Sequence, residues 1–241
     1  GYSIAKKLNA GHAELHVDKF PDDELRIRFN SAVKNKIVVL VQSFYKNISE
    51  CIIEAIFSAK TARELGAKKI VLIAPYFPYL RQDKRFQKGE AVSQRIIAGL
   101  MDKYFDAVYI MDPHLHRKNK LDSIFKTKSK NLTANALIAD YIEKKIKNPI
   151  ILGPDEESYK WAQKVAEIID AKSLILKKKR YSSYHVRVEL SKHIDLQNRN
   201  VVIVDDIIST GHTILETVKI IRKLNPKKIY CICVHGIFAD D

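Results

Sequence analysis

The sequence predicts an α/β fold of two domains, each with a central, mainly parallel sheet flanked by helices. The first observation is that short runs of β-branched apolar residues alternate with segments of helical period. The second is that 241 residues, 46% of them hydrophobic, can bury a core larger than one small domain needs. The third is residues 201–213, where an apolar run leads into two acids and a Ser-Thr-Gly turn.

The strands and helices follow from these patterns. Apolar runs predict strands at 37–41, 70–74, 108–111, 150–152, 174–176, 201–204 and 229–234. Alternation of apolar and charged residues predicts a half-exposed strand at 25–29 and another at 185–190. Helices are predicted at 49–65, 92–104, 134–145, 158–169 and 213–224. The first should bury the face of Ile52, Ile53, Ile56 and Phe57, and it should stop before Gly66.

A polar segment marks the expected junction between the domains. Residues 116–130 hold five lysines and one arginine and show little apolar periodicity. The sequence therefore predicts an N-terminal domain at 1–131 and a C-terminal domain at 132–241. No low-complexity tract interrupts either half, and glycines are too sparse for a Rossmann or Walker nucleotide motif.

Composition narrows the class of protein. The 42 Lys and Arg residues against 28 Asp and Glu residues give a net charge of +14, but the basic residues are spread along the chain. We therefore expect no nucleic-acid partner. No apolar run has the length of a membrane span, so no membrane partner is expected and the cytoplasm is the expected location. Cys51, Cys231 and Cys233 are interpreted as small core residues.

Residues 201–213 are the most informative segment. Val201 to Val204 predict a strand buried on both faces, with Asp205 and Asp206 at its carboxyl end, where open α/β sheets bind ligands. The turn that follows opens a helix, whose unpaired amides favour a phosphate. The candidate phosphate ligands are Ser209, Thr210, Gly211, His212 and Thr213. The two acids suit the hydroxyls of a vicinal diol and a nearby divalent cation.

This segment closely resembles the phosphoribosyl-pyrophosphate motif shared by type I phosphoribosyltransferases and ribose-phosphate pyrophosphokinases. The motif alone does not choose between the two families. The two families share a fold. The resemblance to the pyrophosphokinases implies two phosphoribosyltransferase-like domains, with the nucleotide on the N-terminal one and the ribose phosphate on the C-terminal one.

Two further segments favour the pyrophosphokinases. Residues 20–24 resemble that family's Phe-Pro-Asp-x-Glu, and residues 78–83 resemble its Pro-Tyr-x-Arg-Gln-Asp. The resemblance implies that Phe20 stacks on the adenine of ATP while Asp22 and Glu24 bond to it, and that a neighbouring subunit contributes this segment. It also implies that Arg81, Gln82 and Asp83 lie along the nucleotide. Phe86 stands where the family often has another acid.

Two residues at strand ends resemble metal and triphosphate contacts. His114 follows a predicted strand in Asp-Pro-His, similar to the family's Asp-x-His, and the resemblance implies that it contacts the metal-bound triphosphate and acts in catalysis. His116 forms a His-x-His pair with it, but the resemblance supports His114 alone. Asp155 matches a Pro-Asp whose acid binds Mg²⁺, while an acid at a helix N-terminus is also stabilising without any metal.

The basic run 177–180 resembles the mobile catalytic loop that carries Lys-x-Arg. We assign the pair to Lys178 and Arg180, with Lys177 and Lys179 as the competing register. A solvated basic turn is the ordinary interpretation of such a run. Opposite a pair of acids, a basic lid that neutralises developing charge explains it better.

The combined resemblance is to a compact, archaeal-like ribose-phosphate pyrophosphokinase. It implies that ATP donates its β,γ-diphosphoryl group to the 1-hydroxyl of ribose 5-phosphate, with Mg²⁺ as the cofactor. It also implies a homo-oligomer, a dimer or higher, in which subunits share the adenine site. The alternatives are a type I phosphoribosyltransferase acting on a nucleobase and a non-catalytic regulatory relative.

Overall fold

The protein divides into two compact units, residues 1–132 and 133–241. The computed structural model describes residues 1–115, 120–180, 186–190 and 195–239, and for 177–180 and 186–190 it describes the backbone alone. His116 lies outside the described residues. None of the described helices is long and apolar enough to cross a bilayer.

The first unit contains a parallel four-stranded sheet and an antiparallel hairpin. The hairpin pairs β1 (Leu15–Lys19) with β2 (Leu25–Phe29). The sheet has the order β3-β4-β5-β6. Its strands are β3 (Ile37–Val41), β4 (Lys69–Ala74), β5 (Ala107–Met111) and β6 (Lys128–Leu132). The helices are α1 (Tyr2–Lys7), α2 (Ile48–Glu64) and α3 (Ser93–Tyr104), with a 3₁₀ turn at Leu121–Ser123.

Small residues let α2 pack closely on the sheet. Its buried face consists of Ile52, Ala55, Ser58, Ala59 and Ala62. The predicted face was wrong in part, because Ile53 and Phe57 are 43% and 46% exposed. The helix ends as predicted before Gly66, whose φ of +85° is a backbone conformation that glycine adopts without strain.

The second unit contains a five-stranded sheet with the order β11-β10-β7-β8-β9, in which only the β8–β9 pair is antiparallel. Its strands are β7 (Pro149–Gly153), β8 (Lys172–Arg180), β9 (Val186–Leu190), β10 (Asn200–Ile208) and β11 (Lys228–Gly236). The helices are α4 (Asn135–Lys145), α5 (Tyr159–Ile168) and α6 (His212–Arg222).

Strand β10 lies between β11 and β7 in this sheet, and it is buried on both faces, as predicted. Val201 to Val204 are 0% exposed. Val202 and Val204 pack in the cluster that includes α4 and α5, whereas Val201 and Ile203 pack in the cluster that includes α6. Gly153 ends the neighbouring strand, and a Cβ there would lie 2.6 Å from the Cα of Tyr159. Glycine at this position therefore lets α5 begin directly against the strand.

Four expectations need correction. Strand β10 runs to Ile208, so Asp205 and Asp206 lie within the strand rather than after it. The supposed polar junction contains strand β6, which the apolar pattern did not reveal. Strand β1 and helix α1 were not predicted. Cys231 is exposed, so it is not a core residue.

Candidate active site

The paired acids lie where β10 extends beyond its neighbour. Pairing with β7 ends at Ile203 opposite Leu152, whereas pairing with β11 continues to Ile208 opposite Gly236. Beyond Ile203, β10 is therefore paired with β11 on one side and has no described pairing with β7 on the other. This is the carboxyl end of a parallel sheet, the usual position of ligand sites in open α/β folds.

Both acids are buried and repel each other's charge. Asp205 and Asp206 are 7% and 2% exposed, and the Asp206 amide donates to Asp205 Oδ1 at 2.9 Å. Burial raises the pKa of the Asp205 carboxyl far above its ordinary value, and the charges of Asp206 and Asp155 raise it further. The charges of three carboxyl groups therefore interact here. Such a cluster favours ligands that bring positive charge or donate hydrogen bonds.

Asp155 is fixed by the turn that precedes α5. Its Oδ1 accepts hydrogen bonds from the Glu157 amide at 3.0 Å, the Ser158 amide at 2.9 Å and the Ser158 hydroxyl at 2.7 Å. These bonds fix the turn before α5, but they do not cap the helix, whose N-cap is Ser158 and whose first turn holds no acid. No described hydrogen bond uses Oδ2, so this oxygen is the candidate ligand atom. Ser158 is 1% exposed and was missed from the sequence.

The start of α6 has the features that a phosphate requires. Gly211 is its N-cap with a φ of +81°, and no side chain caps the first amides. Ser209 and Thr213 are half-buried around this turn, and Thr210 is exposed with its Oγ1 3.1 Å from His212 Nδ1. Unpaired amides and hydroxyl groups at a helix N-terminus form an anion site. The predicted residues 209–213 therefore surround one helix start.

In the first unit, two candidates follow strands β4 and β5. His114 is half-buried three residues after the end of β5, as expected. Arg81 is exposed in the loop between β4 and α3. In the same loop, Gln82 Nε2 lies 3.4 Å from Glu90 Oε2, and that oxygen accepts the Phe86 amide at 2.9 Å. Glu90, which the sequence did not single out, holds this loop.

The hairpin tip carries the aromatic candidate. Phe20 is 45% exposed, and its amide donates to the Glu24 carbonyl at 2.8 Å. Asp22 and Glu24 are both exposed beside it. Arg26 lies over the Phe20 ring, 5.5 Å from its centroid. The turn therefore presents one aromatic ring and three acids, Asp22, Asp23 and Glu24, to solvent.

The basic run forms one strand of a hairpin. Lys178 lies opposite Val188 and Arg180 opposite Val186 in the β8–β9 ladder. Positions 178 and 180 share one side of the ribbon, because successive residues of a strand alternate. The side chains of this pair lie outside the described residues, so their roles stay a prediction.

Among the described residues, no group of three His, Cys, Asp or Glu side chains is arranged to hold a metal by itself. Asp155, Asp205 and Asp206 offer carboxylate oxygens, which are the ligand type of a hard divalent cation, and water and substrate phosphates commonly complete the coordination of such an ion. His114 belongs to the first unit and Asp155 to the second.

Two family models together match most of the chain. The model of the N-terminal domain of ribose phosphate pyrophosphokinase matches residues 1–104. The model of the phosphoribosyl transferase domain matches residues 121–239. The boundary between the two matches falls in the segment that precedes β6.

Curated relatives match over nearly the whole chain. A ribose-phosphate pyrophosphokinase from Pyrococcus furiosus is 35% identical over 97% of this chain and 82% of its own length. One from Methanobrevibacter smithii is 33% identical over 98% of this chain and 82% of its own length. A crystal structure of phosphoribosylpyrophosphate synthetase from Mycobacterium smegmatis matches with a TM-score of 0.86. It covers 99% of this chain and 78% of that one at 24% identity, which shows a shared fold.

Proposed function

The chain belongs to the ribose-phosphate pyrophosphokinase family, and from this premise we propose the roles of its residues in the reaction. The protein is a diphosphotransferase of nucleotide biosynthesis. In the proposed reaction the 1-hydroxyl oxygen of ribose 5-phosphate attacks the β-phosphorus of ATP. A C1–O–Pβ bond forms, the bond from Pβ to the α-phosphate oxygen breaks, and AMP leaves. The hydroxyl proton passes to solvent.

The ribose-phosphate side of the proposal rests on the second unit. Asp205 and Asp206 accept hydrogen bonds from the ribose hydroxyls, which are donors that a buried carboxylate needs. The 5-phosphate binds the start of α6 through its amides and the side chains of residues 209–213. The single observation that carries this assignment is the position of two buried acids beside an uncapped helix start.

The nucleotide side of the proposal rests on the first unit. Phe20 stacks on adenine, and Asp22 and Glu24 accept hydrogen bonds from the base. Arg81, Gln82 and Asp83 lie along the nucleotide, and His114 contacts the triphosphate. The exposure of the Phe20 turn supports its donation to a neighbouring subunit, so we propose a homo-oligomer with a shared adenine site.

Enzymes of this family need a divalent metal. We propose that the ion is Mg²⁺, that Asp155 is one of its ligands, and that His114 contacts the metal-bound triphosphate. When bound, the ion neutralises polyphosphate charge. Lys178 and Arg180 stabilise the charge that develops on the bridging oxygen. Both substrates, ATP and ribose 5-phosphate, favour a cytoplasmic location.

An assay of both possible activities tests this proposal. Incubation with ATP, Mg²⁺ and ribose 5-phosphate should yield AMP and phosphoribosyl pyrophosphate in equal amounts. Incubation with phosphoribosyl pyrophosphate and nucleobases should yield no nucleotide. Nucleotide formation in the second assay, without AMP in the first, would identify a phosphoribosyltransferase instead.

A further inference from the structure

The hairpin of the first unit contains an ion pair that the reaction does not explain. Asp18 on β1 and Arg26 on β2 are directly opposite in the ladder. Arg26 Nε donates to Asp18 Oδ1 at 2.9 Å, and Arg26 Nη2 donates to Asp18 Oδ2 at 2.5 Å. The Arg26 guanidinium lowers the pKa of the Asp18 carboxyl to about 2, so the carboxylate stays ionised. This bidentate contact fixes the plane of the guanidinium.

The same guanidinium lies over the Phe20 ring, at 5.5 Å from the centroid. Phe20 is an exposed residue at a turn, and an exposed aromatic ring ordinarily samples several rotamers. A cation on one face of the ring restrains it and leaves the opposite face for a flat ligand. The chain from Asp18 through Arg26 to Phe20 therefore sets the orientation of the ring.

We propose that Arg26 is a positioning residue for the nucleotide base, holding the Phe20 ring against one face while Asp18 holds Arg26 in place. We call the three residues the base clamp. The inference rests on the proposed stacking of adenine on Phe20. Arg26 itself does not touch the base. It restricts the Phe20 ring to fewer rotamers before the base binds, so that binding costs less conformational entropy.

The net charge of the protein and the base clamp predict opposite effects of an Asp18 substitution on the affinity for ATP. Asp18→Asn removes a negative charge, so electrostatic attraction alone predicts tighter binding of the anionic ATP. The base clamp predicts weaker binding, because the guanidinium loses its ionised partner. Arg26→Lys also separates the effect of charge from that of the base clamp, since it keeps the positive charge but loses the planar guanidinium that binds a carboxylate through two hydrogen bonds.

Isothermal titration of the full chain with ATP and Mg²⁺, without ribose 5-phosphate, tests the base clamp. Arg26→Ala and Arg26→Lys should each raise the Kd about two- to fivefold, the size of an exposed cation–π contact. Asp18→Asn should raise it in the same direction. Phe20→Ala should raise it about fivefold or more, as expected for lost base stacking. Adding Arg26→Ala to Phe20→Ala should produce no further change.

Arg28→Ala is the matched control, because Arg28 is exposed two residues along the same strand and has no described contact with Phe20. It should leave the Kd unchanged. A further loss on adding Arg26→Ala to Phe20→Ala, or tighter binding by Asp18→Asn, would overturn the base clamp. The base clamp would also be overturned if the Arg26 variants kept the original Kd while Phe20→Ala raised it. A silent Phe20→Ala would instead contradict the proposed adenine site.

Discussion

At the scale of single residues, the proposed ribose site depends on acids kept in an unfavourable environment. Asp205 and Asp206 are buried beside each other, and the Asp205 pKa is raised by burial, by Asp206 and by Asp155. A folded protein keeps such a cluster at a cost in stability, which is typical of functional sites. A ligand with hydroxyl donors and a cation would relieve that cost.

We therefore expect the double variant Asp205→Asn with Asp206→Asn to raise the KM for ribose 5-phosphate at least tenfold. Each substitution replaces one acceptor oxygen by an NH₂ group that cannot accept a hydrogen bond, and a buried hydrogen bond left unmade costs about 1–3 kcal/mol. Steady-state kinetics with saturating ATP measures the effect. Asp170→Asn, which changes an exposed acid of the same unit, is the control and should have no effect. Unchanged sugar kinetics in a folded double variant would refute the assignment.

The sequence identified these acids because two carboxylates after a β-branched run are an unusual pattern. It could not identify Ser158, since a serine before a helix is common and its contact with Asp155 Oδ1 at 2.7 Å depends on the turn. Arg26 and Asp18 were missed for a similar reason. Charged residues on a half-exposed strand are ordinarily solvated, and their pairing became visible only from the strand register.

At the scale of elements, the buried strands were predictable and the polar ones were not. All four residues from Val201 to Val204 are apolar and β-branched, which favours a central strand, and all four are fully buried. Strand β6 has the sequence Lys-Ser-Lys-Asn-Leu at the edge of its sheet, so no apolar pattern marks it. Helix α2 buries alanines instead of the larger Ile53 and Phe57 because close packing on the sheet favours small side chains.

The β8–β9 hairpin gives a prediction about the basic run. Lys178→Ala and Arg180→Ala should each lower kcat and kcat/KM together by about 10²-fold or more, because they remove contacts that form as charge develops. Lys177→Ala and Lys179→Ala, on the other side of the ribbon, should have mild effects. Arg180→Lys should stay impaired, since an ammonium cannot engage two oxygens as a guanidinium does.

Single-turnover and steady-state kinetics of these five variants decide the assignment. If Lys177→Ala and Lys179→Ala were the strongly impaired variants, the catalytic pair would be Lys177 and Lys179, and the loop would stay in the mechanism. Four silent alanine variants would remove the loop from the mechanism.

The contact between α2 and the first sheet has its own pH dependence. Asp106 Oδ2 accepts the Ile70 amide at 2.6 Å and pairs with Arg63 at 2.6 Å. Burial alone would raise the pKa of Asp106, but the Ile70 amide and the Arg63 guanidinium outweigh it and hold the pKa below its ordinary value. Ionised Asp106 therefore stabilises the fold at neutral pH, and this stability is lost as the pH falls through the lowered pKa.

Asp106→Asn should accordingly lower the free energy of unfolding by about 1 kcal/mol at neutral pH, a value kept small because the pair is partly exposed. The difference from the unmodified protein should shrink below about pH 4, where the acid becomes protonated in the unfolded chain. Thermal unfolding at several pH values measures it. Asp122→Asn, at an exposed position, should show no difference at either end of the range. A difference independent of pH would contradict the electrostatic account.

At the scale of the whole molecule, we propose that the two units carry different parts of one reaction. The second unit contains the paired acids and the uncapped helix start, and the first contains the exposed aromatic turn and the half-buried histidine. The α/β class and the family were predictable from sequence because the motifs are local. The length of β10 and the hydrogen bonds of Asp155 in the turn before α5 were not, since they depend on neighbouring strands and turns.

The central claim is that two phosphoryl groups move together from ATP to ribose 5-phosphate. ATP labelled with ³²P at the β-phosphorus tests it most directly, with products separated by ion-exchange chromatography. The label should appear in phosphoribosyl pyrophosphate while unlabelled AMP forms in equal amount, and the Asp205→Asn with Asp206→Asn variant should show little of either product at low ribose 5-phosphate. Label retained in ADP would mean that only the γ-phosphoryl group is transferred, and that result would contradict the account.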